Sequence, residues 1–171
     1  LGEETQFRPK PMVEIGGKPI IWHILKIYSQ YKIKEFIICC GYKGYMIKEY
    51  FKNYLLHNSD VTINLKNDSF KIHNTLKEDW KITLIDTGDN TSTGGRLLRI
   101  KDYIGSETFA LTYGDGLCNL NIDESIKSHK KNNKIATVTA VRPPGRFGAL
   151  VINDSSEVEN LVADLKKYSG G

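Results

Sequence analysis

Apolar residues recur at helical spacing over residues 19–31, where Ile20, Ile21, Ile24, Leu25, Ile27 and Tyr28 fall on one side of a 3.6-residue period. The next run, Glu35-Phe36-Ile37-Ile38-Cys39-Cys40, is nearly unbroken in apolar character and closes on Gly41, which predicts a buried strand. Helical spacing returns over 44–56 through Ile47, Tyr50, Phe51, Tyr54 and Leu55. Short alternating pieces at 61–65 and 70–73 predict a β-hairpin inside a more polar excursion, 58–78. Beyond it the pattern predicts a strand at 81–86, a helix over 93–104, a buried strand at 108–113 and a helix over 122–131. Strands at 135–141 and 149–152 complete the series.

Strand and helix thus alternate, and glycines bound the strands. That order predicts a three-layer α/β domain around a mostly parallel sheet. In such sheets ligands bind beyond the carboxyl ends of the strands, so chemistry is expected in the loops that follow strands.

Composition narrows the classes. At 171 residues, 40% hydrophobic, the chain suits one globular domain with a core of its own. The net charge of +4 is spread along the sequence, without the like-charge block expected of a nucleic-acid arm or a membrane-surface helix. No apolar run approaches spanning length, and no stretch reads as a secretory leader. Cys39, Cys40 and Cys118 lack metal-ligand spacing and read as reduced thiols. The expectation is a cytoplasmic protein that handles a small molecule.

Three loops carry candidate chemistry. In the first, Lys10 stands between Pro9 and Pro11. Each ring fixes φ near −65° and biases the preceding residue towards extended backbone, so the loop is stiff and aims one ammonium group. A fixed cation where a sheet hands over to a helix is suited to phosphate. The second loop, 87–96, contains Thr91 and Thr93, then Gly94-Gly95-Arg96. Glycines at a helix start allow close backbone approach, and the exposed amides, hydroxyls and guanidinium favour anionic or carbonyl groups. An ordinary strand-to-helix turn explains this loop equally well on its own. The third, Thr112-Tyr113-Gly114-Asp115-Gly116, puts a bare carboxylate between glycines after an apolar run, as a hard cation requires and as an Asp-Gly turn would also give. The four histidines are scattered, and no Ser/His/Asp or Cys/His arrangement stands out.

Taken together, RPKPMVEIGGKPIIW from Arg8, FIICCGYKG from Phe36, DTGDNTSTGGRL from Asp86, TYGDG from Thr112 and PPGRFGAL from Pro143 closely resemble the bacterial glucose-1-phosphate cytidylyltransferases, within the sugar nucleotidyltransferase family. The resemblance implies a single partial, Rossmann-like nucleotidyltransferase domain over 1–171 with a mostly parallel mixed sheet. It is clear over 1–152, and 153–171 diverges. It implies transfer of a cytidylyl group from CTP to α-D-glucose 1-phosphate, giving CDP-glucose and pyrophosphate. Residue by residue, it implies that Lys10 contacts the nucleotide phosphates, that Thr91, Arg96 and Gly114 belong to the nucleotide pocket, and that Asp115 binds Mg²⁺. Lys10 and Asp115 are the implied catalytic pair. Gly148, in the Gly145-Arg146-Phe147-Gly148 turn, borders the sugar phosphate by the same resemblance. A homo-oligomer is implied as well, with a role in making deoxysugars for surface polysaccharide such as the O-antigen of lipopolysaccharide.

Family members carry a first strand and a Gly-Gly-x-Gly-Thr-Arg loop before the position of Leu1, and a segment with a second metal-binding aspartate after the position of Gly171. The resemblance therefore implies a piece lacking both, weakly active or inactive by itself. Two other readings stay open at this point. One is a transferase using UTP or dTTP; the other is a non-catalytic nucleotide-binding remnant.

Overall fold

The computed structural model describes residues 7–75, 78–141 and 149–162. The chain divides into two compact units, Leu1–Leu120 and Asn121–Gly171.

In the first unit the Pro9-Lys10-Pro11 loop forms a short 3₁₀ turn, Lys10–Met12, closed by Met12 N–H donating to Pro9 O at 2.8 Å and Val13 N–H to Lys10 O at 3.1 Å. Two short strands follow, β1 (Glu14–Ile15) and β2 (Lys18–Pro19), paired antiparallel. The two residues between them, Gly16 and Gly17, both take positive φ, 58° and 76°, which side chains resist. Pro19 then presets the backbone for helix α1 (Ile20–Gln30). Its Ile20, Ile21, Ile24 and Leu25 are buried as the periodicity predicts, and Val13, Ile20 and Ile24 form a core cluster against which Tyr28 packs. The helix ends one residue before the predicted boundary. Lys32 adopts φ 63°, its N–H donates to Ser29 O, and Ile33 N–H donates to Tyr28 O, a left-handed cap built without glycine.

Strand β3 (Glu35–Cys40) comes next, then α2 (Gly44–Lys52) and α3 (Tyr54–His57). Asn53 interrupts the helix predicted over 44–56. The predicted hairpin is present as β4 (Ser59–Asn64) and β5 (Ser69–Thr75), antiparallel. Strand β6 (Lys81–Asp86) pairs parallel with β3, residue for residue from Glu35↔Lys81 to Cys40↔Asp86. This parallel pair, with helices following both strands, is the α/β nucleus of the unit. Helix α4 (Thr93–Arg99) and helix α5 (Lys101–Ile104) divide the stretch predicted as one helix at Ile100, which is buried. Behind the sheet, Trp22 and Phe36 both meet Trp80 edge-on, and Trp22 Nε1 donates to Tyr54 Oη at 2.8 Å. The tryptophans are thus packing residues.

The second unit contains α6 (Ile122–Asn132), whose Asn121 cap accepts from Glu124 N–H. It also contains the antiparallel pair β7 (Ala149–Ile152) and β8 (Val158–Val162). Strand β8 falls where the sequence pattern predicted none.

Two predicted strands are corrected. Residues 108–113 and 135–141 form no ladder, and Phe109, Leu111, Tyr113, Ile135, Val138 and Val141 are exposed. Apolar, β-branched sequence makes a segment fit for a sheet, but a strand exists by exchanging hydrogen bonds with a neighbour. Among the described residues no strand pairs with either segment. For the same reason β3 and β6, as a two-stranded sheet, are half-buried along most of their length rather than fully enclosed.

Replacing Ile24, 5% exposed in the core cluster, by alanine should lower unfolding stability by about 2–5 kcal/mol in urea titrations. A midpoint unchanged from wild type would show that this cluster does not hold the unit together.

Candidate functional site

Because β3 and β6 run parallel, both carboxyl ends open on the same side, and the chain leaves them through Gly41 and Thr87. Thr87 is completely buried. Its N–H and its hydroxyl both donate to Cys40 O, at 2.8 and 2.9 Å, carrying the pairing one residue past the last strand position. Arg96, on α4, reaches back over this junction. Its Nη1 donates to Thr87 Oγ1 at 2.6 Å and to Cys40 O at 3.3 Å, and its Nη2 to Asp89 O at 3.2 Å.

Gly41 makes this approach possible. A Cβ there would lie 2.7 Å from both terminal nitrogens of Arg96, so any side chain would expel the guanidinium. All three acceptors of Arg96 are neutral. Among the described residues no carboxylate pairs with it, so its full positive charge remains available to an anion.

The ends of these elements surround a cavity of about 380 Å³, within the range of small-molecule sites. One wall is Pro9-Lys10-Pro11; a second is Cys39, Gly41 and Tyr42 with Ile47; the third carries Arg96 and Asp115. Lys10 Nζ stands 3.9 Å from Asp115 Oδ2, and the lysine side chain is two-thirds exposed. Such a long, wet ion pair is weak, so either partner is free to exchange it for a ligand. Gly114 supports the arrangement from behind: a Cβ there would meet Pro11 Cγ at 3.0 Å and push on the lysine loop.

Of the sequence-predicted site residues, Lys10, Arg96 and Asp115 therefore come together around one cavity, with Gly114 packed against its wall. Thr91 is not among the lining residues; its hydroxyl accepts from Arg99 Nη1 at 2.9 Å, and the same Nη1 donates to Thr87 O. Gly148 lies outside the described residues. Thr87 and Arg99 were not singled out from sequence, and Pro11 and Gly41 were named only as loop stiffener and strand end. A polar residue between an apolar strand and a glycine, as in Asp86-Thr87-Gly88, was the available signal for Thr87. Among the described residues no group of three or more His, Cys, Asp or Glu gathers at one point, and no helix is long and apolar enough to cross a membrane.

A parallel-strand junction thus brings a lysine, an arginine with no carboxylate partner among the described residues and a single carboxylate to one cavity of an α/β unit. The chain belongs to the nucleotidyl transferase family, whose profile matches residues 5–163 and so extends into the stretch where the motif resemblance fades. It is 58% identical over 153 residues to a glucose-1-phosphate cytidylyltransferase of Salmonella typhimurium, a match covering 89% of this chain and 60% of that protein. A probable glucose-1-phosphate cytidylyltransferase of Bacillus subtilis is 46% identical over 154 residues, 90% of this chain and 60% of that protein. The crystal structure of HddC from Yersinia pseudotuberculosis complexed with GMP-PN superposes with a TM-score of 0.61 at 23% identity, over 90% of this chain and 59% of that one, a likeness of fold. The chain thus spans about three-fifths of the length of the curated relatives it matches.

The thiols offer a test of this geometry. Burial pushes the Cys39 thiol above its ordinary pKa, against the opposing pull of Arg96, and burial raises Cys40 as well. A raised pKa means less thiolate at a given pH. Iodoacetamide at pH 8 should therefore modify exposed Cys118 well before Cys39 and Cys40, as read by peptide mass mapping. Cys39 reacting as fast as Cys118 would contradict the burial of the β3 end.

Proposed function

We propose that the whole protein transfers a cytidylyl group from CTP to α-D-glucose 1-phosphate, releasing pyrophosphate and forming CDP-glucose. The observation that supports this most strongly is the meeting of Lys10, Arg96 and Asp115 at one cavity, in a chain 58% identical to a named glucose-1-phosphate cytidylyltransferase.

The reaction needs placement rather than a protein nucleophile. A phosphate oxygen of the sugar attacks the α-phosphorus in line; the new P–O bond forms as the α–β anhydride bond breaks, and pyrophosphate leaves with that electron pair. Lys10, held by two proline rings, supplies fixed positive charge for the triphosphate. Arg96 and Thr91 belong to the nucleotide side of the pocket in this reading, and Gly114 keeps the backbone close. Gly148 borders the sugar phosphate. Asp115 is a fit for Mg²⁺: a hard, lone carboxylate on the cavity wall, leaving the remaining positions to phosphate oxygens and water. When bound, the ion neutralises phosphate charge that one lysine and one arginine leave over. Release of Asp115 from its weak contact with Lys10 frees the ammonium group for phosphate at the same time.

The same reading places the enzyme in the cytoplasm as a homo-oligomer, feeding deoxysugar synthesis for surface polysaccharide, without nucleic-acid or membrane partners. It treats 1–171 as one partial nucleotidyltransferase domain.

Product analysis of the parent-length protein with glucose 1-phosphate and each of CTP, UTP and dTTP should give CDP-glucose with CTP far ahead of the others. Lys10→Met and Asp115→Asn should each lower turnover by about 100-fold, the scale seen when one preorganised charge-stabilising group is lost. Equal use of UTP or dTTP, or full activity in both variants, would overturn the assignment.

A further inference from the structure

We propose that Thr87 is a positioning residue for nucleotide binding, its buried hydroxyl fixing the Arg96 guanidinium at the cavity wall. The inference rests on reading the cavity as the nucleotide pocket, and adds a residue that does not line it.

A guanidinium carries five N–H donors in one plane, and three hydrogen bonds engage Arg96: two from Nη1 and one from Nη2. Among the described residues nothing takes the second N–H on Nη2 or the Nε–H, which are left for a ligand. Where those two donors face depends on what holds the other three. The bond to Thr87 Oγ1, at 2.6 Å, is the shortest of the set, and its acceptor cannot move. Thr87 has no exposed surface, its hydroxyl proton is committed to Cys40 O, and its lone pairs are left to Arg96. The other two acceptors, Cys40 O and Asp89 O, are longer at 3.3 and 3.2 Å, and Asp89 is an exposed loop residue. The bond to Cys40 O and the β3–β6 pairing lock the hydroxyl, the hydroxyl locks the arginine, and Gly41 leaves the space it occupies.

Removing the hydroxyl should leave the fold intact. In Thr87→Val, Cys40 O still accepts from the residue 87 backbone N–H and keeps the Arg96 contact, so no buried carbonyl is orphaned. Arg96 loses its best acceptor and gains freedom to turn. Thr87→Ser retains the hydroxyl and serves as the rescue.

The test compares the full chain as wild type, Thr87→Val, Thr87→Ser, Arg96→Lys and Thr87→Val combined with Arg96→Lys. The readouts are the CTP dissociation constant with magnesium and solvent exchange of the Arg96 side-chain N–H by NMR. Thr87→Val should weaken CTP about tenfold, the worth of one hydrogen bond to a charged group, while Thr87→Ser stays within about threefold of wild type. In the Arg96→Lys background, Thr87→Val should cost nothing further. Wild-type affinity in Thr87→Val, or an equal loss with and without Arg96, would overturn the proposal. Should the wild-type chain take up no CTP, the nucleotide reading fails there and the exchange data decide alone. Slow Arg96 exchange that is lost in Thr87→Val and kept in Thr87→Ser supports the positioning role; identical exchange in all three refutes it.

Discussion

One backbone carbonyl, Cys40 O, collects three hydrogen bonds at the point where β3 ends, and the candidate site depends on them. Two come from Thr87 and one from Arg96. They tie the exits of both parallel strands to the helix that follows the second. The register Cys40↔Asp86 is what brings Thr87 to that carbonyl. A slip of one residue would reverse the faces of β6 and carry Thr87 away from Cys40. The same junction sets the position of Gly41, over which the arginine reaches.

The other half of the site is anchored through the core. Val13 follows the Lys10 turn directly, packs with Ile20 and Ile24, and accepts Ile20 N–H at 2.8 Å. The lysine loop is therefore fixed at its base by apolar burial and along its length by two prolines, while its ammonium stays in water. Stiff backbone and a solvated charge are what a phosphate-binding cation needs: little ordering cost on binding, and no burial cost before it. Arg96 follows a different logic. It is held by neutral oxygens, which orient it without cancelling its charge. Asp115, opposite Lys10, balances the cavity weakly enough to be displaced.

Much of this was legible in the sequence because it is local. Pro9-Lys10-Pro11 declares a stiff cation, and the apolar face of α1 is read from spacing alone, whereas the β1–β2 hairpin around Gly16-Gly17 came only with the structure. Glycine-bounded apolar runs identified β3 and β6, and a flanked aspartate identified Asp115. What sequence could not give is pairing. Residues 108–113 have the character of a strand, yet strand formation depends on a neighbour that no local pattern reveals. Strand β8 is the converse case, a short Val-Glu-Asn-Leu-Val segment that the pattern left unassigned and that pairs because β7 is beside it. Thr87 was hidden for a related reason: its role comes from a partner 47 residues away, across the sheet. Arg96 was named for its charge, but three oxygens from two segments, the end of β3 and the loop after β6, define what that charge does.

The central claim is that the cavity between the Lys10 loop and the β3–β6 exits receives a nucleoside triphosphate. The most direct measurement is backbone amide shift mapping of this chain during titration with CTP and magnesium. Saturable shifts concentrated at Lys10, Gly41, Thr87–Arg96, Gly114 and Asp115 are the predicted result. Shifts that leave these positions unmoved, or that scatter over the β4–β5 hairpin and the second unit instead, would contradict it.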